Sequence, residues 1–156
     1  MAPFVRFVDT SVLCNLLDVP GKNQHVAAVR KEQVEYVGSG DTLILPITSV
    51  IETGNHVAQL GGHHRRLCAE RLDGVLRLSV ANKTPYVFHA FSWDSRFVDR
   101  LLTGANTGTS LVEHAASGLG GGDLCILTEM ETYKQRAALA EVTVWTRDAQ
   151  LAAWVL

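Results

Sequence analysis

Four acidic side chains stand at the starts of helical runs: Asp9, Glu52, Asp123 and Asp148. Asp9 closes Phe4-Val5-Arg6-Phe7-Val8. Glu52 follows the apolar Thr42-Leu43-Ile44-Leu45-Pro46. Asp123 ends a glycine-rich stretch, and Asp148 follows Val142-Thr143-Val144-Trp145. Each acid alone has a plain use, because a carboxylate at a helix start caps free amides and opposes the macrodipole. Ser49-Val50-Ile51-Glu52 matches a capping box, and Asp148 ahead of Ala149 reads as an N-cap. Asp9 fits that use least, since a charge directly after an apolar strand is costly to desolvate without a partner. Gathered together, the four would repel and raise one another's pKa. A divalent cation removes that conflict, and oxygen-only donors suit Mg²⁺ or Mn²⁺ rather than zinc. A cation held by carboxylates can lower the pKa of a bound water and neutralise phosphate oxygens.

The elements around the acids say how they could meet. β-branched and aromatic runs at 4–8, 42–46, 85–91 and 142–145 read as strands. Helical patterns separate them, over 12–17, 24–37, 50–59, 63–79, 95–102, 111–116, 123–139 and 149–155. On this pattern Val26, Val29, Val34 and Val37 face inward, as do Leu72, Val75, Leu76 and Val80, and Asp94 caps the helix after it. Strands alternating with helices imply an α/β fold, a three-layer α/β/α sandwich with a mainly parallel sheet of about four strands. The chain has no internal repeat and no linker long enough to divide it, so residues 1–156 read as a single domain. Ligands of such sheets sit beyond the carboxyl ends of the strands, where the strand order switches. That edge is where all four acids are expected.

Four segments, Val8-Asp9-Thr10-Ser11-Val12-Leu13, Thr48-Ser49-Val50-Ile51-Glu52, Gly120-Gly121-Gly122-Asp123-Leu124-Cys125-Ile126-Leu127 and Val144-Trp145-Thr146-Arg147-Asp148, together resemble the motifs of PIN-domain nucleases. In size the chain is most similar to the VapC-type toxin ribonucleases. Each motif is short; four in order and at the spacing of that family are more specific. The resemblance implies a Mg²⁺- or Mn²⁺-dependent endoribonuclease that leaves a 5′-phosphate and a 3′-hydroxyl. It implies Asp9, Asp123 and Asp148 as metal-binding aspartates, Glu52 as the acid of the second motif, Thr146 as the hydroxyl residue before the last aspartate, and Ser11 or Thr10 as a group orienting Asp9. It further implies an RNA substrate, a cognate antitoxin protein and a homodimer, for which Val57, Leu60, Leu67 and Leu72 offer apolar surface. Two features depart from the family pattern. Leu151 stands where many relatives carry Phe, and the 103–117 stretch is long.

Composition sets limits on partners. Fourteen basic and sixteen acidic side chains leave a formal charge of -2, so any nucleic-acid contact must come from a local patch rather than bulk charge. Arg147 beside Asp148 is the basic residue best placed to touch a phosphate, and His63-His64-Arg65-Arg66 with Arg71 is either an RNA-facing patch or a solvated helix turn. His56 and His114 are candidates for the cleft, and Trp93, Trp145 and Trp154 for the core. Cys14, Cys68 and Cys125 form no CxxC pair and read as buried thiols in a reducing compartment. The start of the chain lacks a signal-peptide pattern, and no apolar run is long enough to cross a bilayer, so a cytoplasmic protein without membrane contact is expected. Two other functions fit parts of this pattern. A PIN-like interaction module or metal-binding scaffold would use the acids without cleaving anything. A phosphoacceptor using Asp9 as nucleophile would need a second aspartate two residues on, where Ser11 stands.

Overall fold

The computed structural model describes residues 2–155. In chain order the elements are β1 (Phe4–Val8), α1 (Thr10–Leu16), α2 (Val26–Gly38), β2 (Thr42–Ile44), α3 (Ile47–Ala58), α4 (Gly62–Val80), β3 (Tyr86–Val87), α5 (Ser95–Leu102), α6 (Leu111–Ala116), α7 (Gly121–Arg136), β4 (Glu141–Trp145) and α8 (Ala149–Ala152). The four strands form one sheet in the order β3-β2-β1-β4. All neighbours run parallel, with Phe7 opposite both Ile44 and Val144.

The period of two along each strand divides its side chains between two cores. Val5, Phe7, Ile44, Val142 and Val144 point to one face, where they meet Leu124, Leu127 and Met130 of α7 and Leu151 of α8. Val8, Leu43, Leu45, Tyr86 and Trp145 belong to the other, packed on Leu13, Val29, Val57 and Cys68 from α1 to α4. The result is the expected α/β/α sandwich with a four-stranded parallel sheet. Arg6, in the central strand, is accommodated by an ion pair to Asp41 at 2.6 Å and by stacking on the Tyr36 ring at 3.7 Å. Among the described residues no helix is long and apolar enough to cross a membrane.

Several local expectations are corrected. Only Tyr86 and Val87 of the 85–91 run pair with β2; beyond them His89 leaves the edge of the sheet to pack on Tyr133 of α7. Val34 and Val37 of α2 face solvent, at 73% and 47% exposure. The inward face of α2 is instead partly polar. Tyr36 packs edge-on against Trp145, Glu32 accepts from the Trp145 indole at 2.7 Å, and Gln33 accepts from the Tyr86 hydroxyl. Val80, at the end of α4, and Trp93 are also exposed. Val57 lies in the core, and Leu60 and Leu72 pack against it, so of the four residues offered for a dimer face only Leu67 is exposed.

A candidate active site at the carboxyl edge of the sheet

The strand order reverses between β1 and β4, and both strands end at the same edge. A cleft of about 410 Å³ opens there, and Asp9, Glu52, Asp123 and Asp148 all line it. Each acid arrives by a different local route. Asp9 is the N-cap of α1, and its own amide extends the ladder to the Trp145 carbonyl at 2.9 Å. Asp148 is the N-cap of α8, with Oδ1 accepting from the Gln150 amide at 2.9 Å. Asp123 is the third residue of α7, because that helix starts at Gly121 rather than at the aspartate itself.

Glu52 is not a cap. Helix α3 begins at Ile47 after Pro46, which puts Ser49 inside it. The Ser49 hydroxyl donates to the Val8 carbonyl at 2.7 Å, tying α3 to the end of β1. Glu52 therefore sits in the second turn of α3, and Oε1 accepts from the Thr10 hydroxyl at 2.8 Å. The capping-box reading fails because Pro46 starts the helix three residues earlier than the serine would. Gly122 makes the room: a Cβ there would overlap the Glu52 carboxylate. In the Gly120-Gly121-Gly122 run, the third glycine admits an acid from a neighbouring helix.

Asp9 is held with unusual completeness on one side only. Its Oδ2 accepts from the Ser11 hydroxyl and from the Thr146 hydroxyl, each at 2.7 Å. Those hydroxyl oxygens accept in turn from the amides of Arg147 and Asp148, both at 2.9 Å. Each hydroxyl proton is committed to Asp9, so the 3.3 Å approach of the two oxygens is a packing contact rather than a further hydrogen bond. Oδ1 is buried and has no partner among the described residues. An orphaned carboxylate oxygen at the floor of a cleft is costly unless a cation completes it.

The charges act on one another. Burial, followed by the charges of Asp9, Asp148 and Glu52, pushes the Asp123 carboxyl up to about 7. Burial also raises Glu52, with the Thr10 hydrogen bond opposing the shift and Asp9 adding to it. Among the described residues no three His, Cys, Asp or Glu side chains form a ready-made metal cage. The acids share an open cleft without closing on one point.

Another part of the wall is basic and polar, and sequence reasoning found only part of it. Lys22, Gln24, His25, Asn15 and His56 line the cleft. Buried Asn15 organises this wall: its amide donates to the Ser11 carbonyl and its oxygen accepts from the His25 amide, both at 2.8 Å. This clamp ties the end of the 18–25 turn to α1, and Gly21, Lys22, Gln24 and His25 line the cleft. The turn residues were legible in the sequence, but nothing in their pattern indicated where the turn would lie. His56 is held below its ordinary pKa by burial and then by Lys22. Arg147 lines the cleft as anticipated, yet its guanidinium is paired to Glu32. Arg65 and Arg66 do not reach the cleft; Arg65 donates to the Leu60 carbonyl and Arg66 pairs with Glu70, one turn on. His114 is buried elsewhere, between Thr107 and Trp154.

Comparison of the chain with protein-family models, with curated proteins and with solved structures finds no match.

Proposed function

We propose that the protein is a metal-dependent endoribonuclease, hydrolysing RNA phosphodiester bonds in the cleft at the carboxyl edge of the sheet. One observation carries this reading: four carboxylates line one cleft at the strand-order switch, with Asp9 fixed by two hydroxyls on one oxygen and, among the described residues, without a partner on the other. The choice of RNA follows the resemblance of the four motifs to PIN-domain nucleases.

Asp9, through Oδ1, and Asp123 are the residues that would hold a Mg²⁺ or Mn²⁺ ion, with Asp148 beside them and Glu52 as a further acidic group. Bound there, such an ion supplies a more acidic water and neutralises non-bridging phosphate oxygens. The chain's own contribution is positional. Ser11 and Thr146 keep Asp9 from rotating. Capping of α8 fixes Asp148. Burial raises the affinity of Glu52 for protons, which makes it the acid placed to accept one from a water. Lys22 adds a cation to the lining of the same cleft, where it could contact a substrate phosphate.

The test is cleavage of single-stranded RNA with Mn²⁺, with Mg²⁺ and with chelator, in the wild type and in Asp9→Asn. Cleavage that depends on the metal and falls at least a hundredfold in Asp9→Asn supports the proposal. Equal cleavage in chelator, or full activity in Asp9→Asn, refutes it.

A further inference from the structure

On the same side of the sheet as α7, a second cavity of about 360 Å³ lies between the start of α5 and the last turns of α7. Three guanidiniums line it: Arg96, Arg100 and Arg136. Among the described residues none of the three has a carboxylate at ion-pair distance. Two are positioned by neutral groups. Arg100 donates to the Thr132 hydroxyl at 2.8 Å, and Arg136 to the Ala90 carbonyl at 3.0 Å. Asp94 is the acid in the lining, and its Oδ1 is engaged as the cap of α5, accepting from the Phe97 amide at 3.1 Å. Three cations against one committed carboxylate make this a concentrated positive site on a chain of net charge -2.

Aromatic rings stand beside it. Trp93 is 56% exposed. It stacks at 25° on Phe97 with centroids 6.3 Å apart, and Phe91 packs on both. Phe97 is buried and anchors the group. A large exposed indole supported by the buried Phe97 ring and the partly buried Phe91 ring is expensive to present to water unless something covers it. Guanidiniums next to a supported aromatic face are the two components of single-strand recognition, in which the cations track the phosphates and the ring stacks a base.

We infer that this cavity and Trp93 form an accessory binding site for single-stranded nucleic acid. Asp123 and Arg136 stand at opposite ends of α7, thirteen residues apart, or about 20 Å along the helix. An extended strand of several nucleotides spans that length. The inference deepens the nuclease reading and rests on it for the identity of the polymer. Binding here makes no use of the acidic cleft.

The test is fluorescence anisotropy of a labelled oligouridylate with the full chain, in chelator and over a range of salt. Arg96→Gln with Arg136→Gln should weaken binding about tenfold and flatten the slope of log K against log salt by about 1.4, near 0.7 for each phosphate that is no longer neutralised. Trp93→Ala should cost about tenfold with little change in slope, and Trp93→Phe should retain most of the affinity. All three positions are exposed or at the cavity rim, so the variants are expected to fold, which circular dichroism checks. Unchanged affinity and slope overturn the inference, as does tighter binding of polyglutamate than of the oligouridylate. Cleavage of a substrate too short to reach Arg136 separates the two readings. A defective accessory site leaves that cleavage intact, whereas a chain that binds RNA but never cleaves it fails the nuclease proposal alone.

Discussion

Replacing Asp123 by Asn separates the cost of crowding four acids from the use made of them. In the folded chain this carboxyl titrates at about 7, against an ordinary value of 3.8. Because the folded value is raised, the folded state binds more protons than the unfolded state between these limits. Stability therefore falls as pH rises from about 4 to 7 and levels off above. At full strength the difference is about 4 kcal/mol. Asp123 is only half-buried, so solvent screening reduces this to about 2 kcal/mol. The carboxylate also sits in the first turn of α7, where the helix dipole returns about 0.5 kcal/mol that Asn forfeits. In chelator at pH 8 the variant should be more stable than wild type by about 1.5 kcal/mol. For a chain of this length that raises Tm by about 3–6 °C. Near pH 4 the two proteins should melt together. Saturating Mn²⁺ should then reverse the order, since an ion at a hundred times its Kd adds about 2.7 kcal/mol to the wild type and far less to the variant. Differential scanning calorimetry at pH 4, 6 and 8, with chelator and with Mn²⁺, reads all of these. A variant that melts below wild type in chelator at pH 8, or a difference that ignores pH, refutes the electrostatic reasoning.

Other residues give independent tests. Glu129 is 1% exposed, both its carboxylate oxygens lack a partner among the described residues, and burial pushes its pKa up to about 8; it should add its own loss of stability between about pH 4 and 8, and Glu129→Gln should remove that share, about 2–3 kcal/mol in urea unfolding at pH 9, leaving the part due to Asp123. Gly122→Ala should shift Tm by no more than about 2 °C, because the Glu52 side chain can swing away, while cleavage falls about tenfold as that carboxylate leaves its place. Thr146→Val removes one of the two hydroxyls on Asp9 Oδ2 and strips the Asp148 amide of its acceptor; calorimetric titration should show Mn²⁺ affinity falling about 10- to 100-fold.

The sequence alone located Asp9 and Asp148 at strand-to-helix junctions and sorted the strands into a parallel sheet. These are short-range properties. Alternation within Phe4–Val8 and Glu141–Trp145, and a cap residue ahead of α1, α5 and α8, are written within a few positions of one another. Parallel pairing then has few solutions, and all of them bring the carboxyl ends of the strands to one edge. What tertiary structure decided lies at long range. Ser49 reads locally as a capping residue but bonds to Val8, 41 positions away. Arg147 reads as a free phosphate ligand but is held by Glu32, 115 positions away. Val34 and Val37 follow a helical apolar pattern, yet α2 turns toward the sheet the residues that satisfy the Trp145 indole and the Tyr86 hydroxyl. Buried polar groups must find partners, and a misplaced valine costs less than an orphaned donor. Which helix face wins, and which acid or cation stays free for a ligand, depends on where those partners arrive once the chain has packed.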